Sequence, residues 1–230
     1  MVKLSILIPA YNEEKTIGMI LDKVKGVKLN GITKEIIVVD NASTDKTFDI
    51  LKKYSRKGVK VIRHSKNMGK GTSIRTALSH ATGDIILVQD ADLEYDPKDY
   101  PKLIKPIIEH KAKVVYGSRL LGRDNKYTRF AYYVGGVSLT KFFSLLYQKN
   151  VSDVCCGYKV FSSDVIKNIR LECKEFEFDC EVTAKISKKG IRVCNIPISY
   201  IPRSREEGKK INFNDWMKSV YVMLKYRFKN

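Results

Sequence analysis

The 230-residue chain is short of histidine, long apolar runs and tracts of simple composition, and each shortage removes a class of protein. Its histidines are His64, His80 and His110, all in loop or helix positions away from the other polar motifs, so they read as solvated rather than catalytic. The aromatic-rich, acid-free stretch Tyr127 to Ser152 is interrupted by Arg129, Lys141, Gln148 and Lys149 and is too polar to span a bilayer. The five cysteines are odd in number, lack metal-ligand spacing and follow no signal peptide, which fits reduced, mostly buried thiols of a cytosolic protein. Vicinal Cys155 and Cys156 have a poor geometry for a disulfide. With no repeat or linker, a single domain with a surface appendage is expected.

Positive charge is in excess. Lys and Arg number 43 against 25 Asp and Glu, a formal charge of +18. A polyanionic partner is implied, whether nucleic acid, an anionic membrane surface or a phosphorylated substrate. Nucleic acid fits worst, because the basic residues are spread along the chain, no binding motif is present and the acids cluster where a polyanion would be repelled.

Buried-strand patterns, each a short apolar run, occur at Leu4 to Ile8, Glu35 to Val39, Val59 to Ile62, Asp84 to Val88 and Lys113 to Tyr116. Helical spacing follows the first three, and Asp96-Pro97 starts another helix after the fourth. Strand alternating with helix argues for a mostly parallel sheet covered on both faces, and such sheets bind ligands at the carboxyl ends of their strands. Polar signals stand at three of those ends: Tyr11 to Glu14, Asp40 to Asp45, and Asp90-Ala91-Asp92 with Glu94 just beyond. Strand alternation would aim Asp90 and Asp92 the same way. Three converging carboxylates repel one another, so a hard divalent cation that also takes a nucleotide's phosphates is their natural partner. A strand-end arginine beside them, Arg119, is placed to hold a phosphate bidentately.

Further on, Gly135-Gly136 should break or bend a helix in the aromatic stretch from Phe130 to Tyr147. That stretch either fills the core or lies in a membrane interface. Ile191 to Ile201 reads as an edge strand because it holds Pro197. Residues 211–230 carry Phe213, Trp216, Met217, Val220, Leu224 and Phe228 at helical spacing among basic residues.

Pro9-Ala10-Tyr11-Asn12-Glu13, Asp40 to Asp45, Asn67-Met68-Gly69-Lys70-Gly71, Asp90-Ala91-Asp92 and Gly117-Ser118-Arg119 resemble, in order and spacing, the motifs of glycosyltransferase family 2. More narrowly they are similar to those of dolichyl-phosphate mannose synthases and related polyprenyl-phosphate hexosyltransferases, over Lys3 to about Lys210. The resemblance implies a GT-A, Rossmann-like α/β domain over 1–210 with 211–230 as a C-terminal amphipathic helix, part of the domain or on a membrane surface. It implies a nucleotide-sugar donor, GDP-mannose or a UDP-hexose, bound at Pro9, Tyr11, Glu13, Asp40, Asn67, Lys70, Asp90, Ala91 and Asp92, with Asp40 accepting from the base. It implies Mg2+ or Mn2+ at Asp90, Asp92 and Glu94, where many mannose synthases carry Gln at the last position. It puts the acceptor phosphate on Arg119, Arg129, Arg205 and Lys210, with Asp92, Arg119 and Asp153 as the catalytic set. Here Tyr133 stands where mannose synthases can have Ser, and Lys209 replaces a Ser of their Arg-x-x-Gly-x-Ser-Lys loop. Inverting transfer of a hexose to dolichyl or polyprenyl phosphate on the cytoplasmic face of a membrane is the expectation. Transfer to a sugar hydroxyl, with Asp153 or Glu177 as base, is the alternative.

Overall fold

The computed structural model describes residues 1–122, 130–203 and 212–229. The first half alternates as its apolar runs dictate: β1 (Val2–Ala10), α1 (Ile17–Gly26), β2 (Ile32–Asp40), α2 (Thr47–Ser55), β3 (Lys60–Arg63), α3 (Lys70–Ser79) and β4 (Ile85–Val88). A 3-10 turn (Pro97–Asp99), with Asp96 capping it through Lys98 N–H, leads into α4 (Tyr100–Ile108). Then come β5 (Val114–Ser118), α5 (Phe130–Tyr147), β6 (Lys159–Ser162), α6 (Ser163–Lys167), α7 (Phe178–Lys188), β7 (Val193–Pro197) and α8 (Phe213–Phe228).

The strands form one sheet in the order β3-β2-β1-β4-β6-β5-β7. Only β6 is antiparallel to its neighbours, so the other six strands end at the same edge. Alternation along β1 splits the core into two layers. Leu4, Ile6 and Ile8 pack with α1, α2 and α4, and Leu7 packs with α3, α5, α6, α7 and α8. β7 is an edge strand, as Pro197 requires.

Three expectations are corrected. β4 ends at Val88, so Asp90, Asp92 and Glu94 are carried by a turn and strand alternation does not orient them. α5 runs unbroken through Gly135-Gly136. A Cβ at Gly135 would stand 3.9 Å from Trp216 and one at Gly136 3.8 Å from Arg119, ordinary contact distances, so no neighbour requires a glycine at either place. His64 is not solvated: its ring is half-buried and bonded to Asn41 and Thr76.

Candidate active site

Gln89, wholly buried, fixes the turn after β4. Its Oε1 accepts from Tyr100 and Tyr158 hydroxyls at 2.8 Å each, and its Nε2 donates to the Asp90 carbonyl at 2.9 Å. Asp92 Oδ1 accepts from Glu94 N–H at 2.9 Å, which curls the chain so that the acids face one cavity of about 280 Å³. That cavity is lined by Pro9, Ala10, Tyr11 and Glu13 after β1, by Asn67 and Lys70 around the start of α3, by Asp90, Ala91, Asp92 and Glu94, and by Arg119 and Arg203. Gly157 stands against the Asp90 carboxylate, where a Cβ would come within 2.2 Å of Asp90 Oδ2.

Each acid faces a cation. Lys70 Nζ lies 2.6 Å from Asp90 Oδ1. Arg203, arriving from beyond β7, bonds to Glu13 at 3.0 Å and Asp92 at 2.6 Å, and its backbone N–H donates to Glu94 at 2.8 Å. Burial, and after it the Asp90 carboxylate, push Asp92 up to about 7 against the pull of Arg203. Burial would lower Lys70, but Asp90 and Asp179 outweigh it and its pKa is raised.

Asp40 does not line this cavity. It is wholly buried, Oδ1 accepting from Ser43 N–H at 3.2 Å, while Oδ2 has Arg63 Nε at 3.1 Å but no aligned hydrogen bond. Asn41 beside it does line the cavity and bonds to Asn67 at 2.7 Å.

A second, largely apolar cavity of about 490 Å³ lies between α5 and α8, lined by residues that include Tyr132, Tyr133, Leu139, Phe213 and Trp216. Arg119, Cys155, Phe176 and Asp179 line both cavities. Arg119 grips Asp153 bidentately, Nε to Oδ2 at 2.7 Å and Nη2 to Oδ1 at 2.9 Å, and its guanidinium stands 5.3 Å from the Tyr200 ring centroid. Asp179 pairs at 2.7 Å with Lys159, which has no exposed side-chain surface and also holds the Val154 and Cys156 carbonyls. Glu177 precedes α7 and lines neither cavity. Arg129, Arg205 and Lys210 lie outside the described residues.

Do these residues suit a divalent cation? In kind they do, since Asp90, Asp92, Glu94 and Glu13 offer only hard oxygen donors. In arrangement they are turned to Lys70 and Arg203, and among the described residues no three acidic, His or Cys side chains are spaced to hold an ion. Sequence reading gave Arg203, Lys159 and Gly157 no role of their own; Arg203 and Gly157 meet acids far off in the chain, and Lys159 is buried against Asp179.

A mostly parallel sheet with acids, a lysine and an arginine at its strand ends defines a nucleotide-binding α/β domain. The chain belongs to glycosyl transferase family 2, whose model matches residues 5–170. It is 28% identical over 238 residues to a dolichol-phosphate mannosyltransferase of Pyrococcus furiosus, covering 97% of this chain and 64% of that protein. It is 27% identical over 240 residues to a dolichyl-phosphate beta-glucosyltransferase of Trichomonas vaginalis, covering 97% of this chain and 72% of that one. In fold it resembles glucosyl-3-phosphoglycerate synthase of Mycobacterium tuberculosis, crystallised with Mn2+, UDP and glucosyl-3-phosphoglycerate, with TM-score 0.74 and 19% identity over 98% of this chain and 80% of that one.

Proposed function

We propose that the chain transfers a hexosyl group from a nucleotide diphosphate sugar, GDP-mannose or a UDP-hexose, to dolichyl or polyprenyl phosphate, with inversion at the anomeric carbon. The observation that carries this reading is the pair of cavities joined at Arg119. One is lined by the charged side chains of Asp90, Asp92, Lys70 and Arg203, and the other is largely apolar. A nucleotide sugar suits the first and a phosphate on a long hydrocarbon suits the second. The two relatives named above differ in the sugar and share dolichyl phosphate in their names, which supports the same acceptor class here.

Among the described residues three acids line the apolar cavity, and each is engaged. Asp153 is paired with Arg119, Asp179 with Lys159, and Asp215 is tied to Asn212 in the capping box of α8. A hydroxyl acceptor would need one of them as base. A phosphate monoester does not, because its second pKa is about 6 and it is ionised at neutral pH. Its oxygen forms the new bond to the anomeric carbon as the bond to the donor diphosphate breaks, and no proton moves. Arg119 orients the incoming phosphate and offsets its repulsion from the donor, while Lys70 lies toward the diphosphate. Mg2+ or Mn2+ held by Asp90, Asp92 and Glu94 would supply Lewis-acid neutralisation of the departing diphosphate.

The substrate's lipid places the reaction at a membrane. No helix among the described residues is long and apolar enough to cross one. α8 instead presents Phe213, Met217, Tyr221, Leu224 and Phe228, each between 38% and 76% exposed, among Lys218, Lys225 and Arg227. That composition suits peripheral attachment to an anionic, cytoplasmic membrane face. The test is transfer of radiolabel from UDP-glucose, UDP-N-acetylglucosamine or GDP-mannose into the organic phase with dolichyl phosphate and Mn2+. Label that stays aqueous with every donor would refute the reading.

A further inference from the structure

Arg203 stands where the reading above puts a divalent cation. Its guanidinium bonds to Glu13 at 3.0 Å and Asp92 at 2.6 Å, and its backbone N–H holds Glu94 at 2.8 Å. Its side chain is only 17% exposed. Carboxylates from after β1 and after β4 thus turn to one fixed positive charge supplied from beyond β7. This explains why an acid-rich cavity has, among the described residues, no acid trio spaced for an ion.

We propose that Arg203 is a built-in counter-cation of the donor site, which a divalent ion has to displace from Asp92 and Glu94. The inference rests on the metal and nucleotide-sugar reading. Without nucleotide, the ion must exchange for an ion pair that costs the chain little to form, because both partners are already fixed. With nucleotide present, the diphosphate gives the released guanidinium a new partner in the same cavity. Metal and nucleotide therefore bind with positive coupling, and by linkage each strengthens the other equally. Lys70 differs: its ion pair is with Asp90, and Glu13, Asp92 and Glu94 are left to Arg203.

Removing Arg203 should move two affinities in opposite directions. Arg203→Gln should bind Mn2+ alone more tightly, by about tenfold, and should lose most of the gain that nucleotide brings. The experiment follows the free Mn2+ electron-paramagnetic-resonance signal on titrating wild type, Arg203→Gln and Arg203→Lys, each with and without UDP and GDP. Arg203→Lys keeps a charge with a single donor group and should fall between the other two, with circular dichroism showing that all are folded. Equal or weaker Mn2+ binding by folded Arg203→Gln, in a wild type that binds Mn2+ with nucleotide, overturns the inference and leaves the enzyme reading standing. Failure of folded wild type to bind Mn2+ with either nucleotide overturns both.

Discussion

Asp92 is the residue at which stability and function oppose each other. Its folded pKa, about 7, lies above a carboxyl's ordinary 3.8, so the ionised form is the one the fold disfavours, and the cost builds as pH rises from 3.8 and is complete above 7. Asp92→Asn removes that cost. Its melting temperature at pH 8 should equal or exceed that of wild type, while transfer should fall by on the order of 10²–10³; a drop of several degrees would mean that Asp92 is structural. Gly157→Ala makes the complementary case. The new Cβ, 2.2 Å from Asp90 Oδ2, should push that carboxylate aside, raising the donor KM with little loss of stability in urea. The acids, Tyr11 and Lys70 were legible because each belongs to a local motif at a strand end. Arg203, Gly157 and Lys159 were given no role, because what each does depends on what the fold packs against it: Arg203 meets Asp92 across a separation of 111 residues. Asp40 shows the opposite error, a motif residue that the fold seals behind Ser43 and Arg63.

At the level of elements, apolar runs gave every strand of the sheet except β6, whose presence and reversal they did not show. That strand, Lys159–Ser162, is only four residues long and lies between β4 and β5, where tertiary pairing and not periodicity sets its direction. α5 was misread at Gly135-Gly136 because the low helix propensity of glycine was weighed without the packing of α5 on α7 and α8. α8 faces two ways. Val222, Met223 and Tyr226 sit in the core layer with α7 and α5, and Met223→Ala should cost about 2–5 kcal/mol in urea unfolding. On the outer face, Met217 and Tyr221 are 49% and 66% exposed. Replacing both by Gln should leave the melting temperature unchanged and reduce co-sedimentation with anionic vesicles. Unchanged sedimentation would assign the stripe to something other than a lipid surface.

For the molecule as a whole, the charge of +18 sets the response to salt and acid. Attraction to anionic vesicles should weaken steeply as ionic strength passes 0.1 M, where the Debye length is about 10 Å. Acid unfolding has an identifiable contributor at the edge of the sheet opposite the site. Burial alone would raise the Glu35 carboxyl, but hydrogen bonds from Lys3, Ser5 and Thr82 outweigh it and bring it down to about 2 from 4.5. The stability this contributes is complete above 4.5 and is lost as pH falls from there toward 2, so Glu35→Gln should flatten that limb of the stability curve. Fold class and donor side were thus readable from strand-end motifs, whereas the apolar second cavity depends on α5 meeting α8, 76 residues apart where Tyr147 bonds to the Met223 carbonyl. The central claim is that the strand-end acids and a divalent cation hold a nucleotide diphosphate. Calorimetric titration of UDP and GDP into the protein tests it most directly, with Mn2+, with EDTA, and with Asp92→Asn. Binding of at least one nucleotide with Mn2+, lost in EDTA and in the variant, is expected; no binding at all, or equal binding under all three conditions, would contradict it.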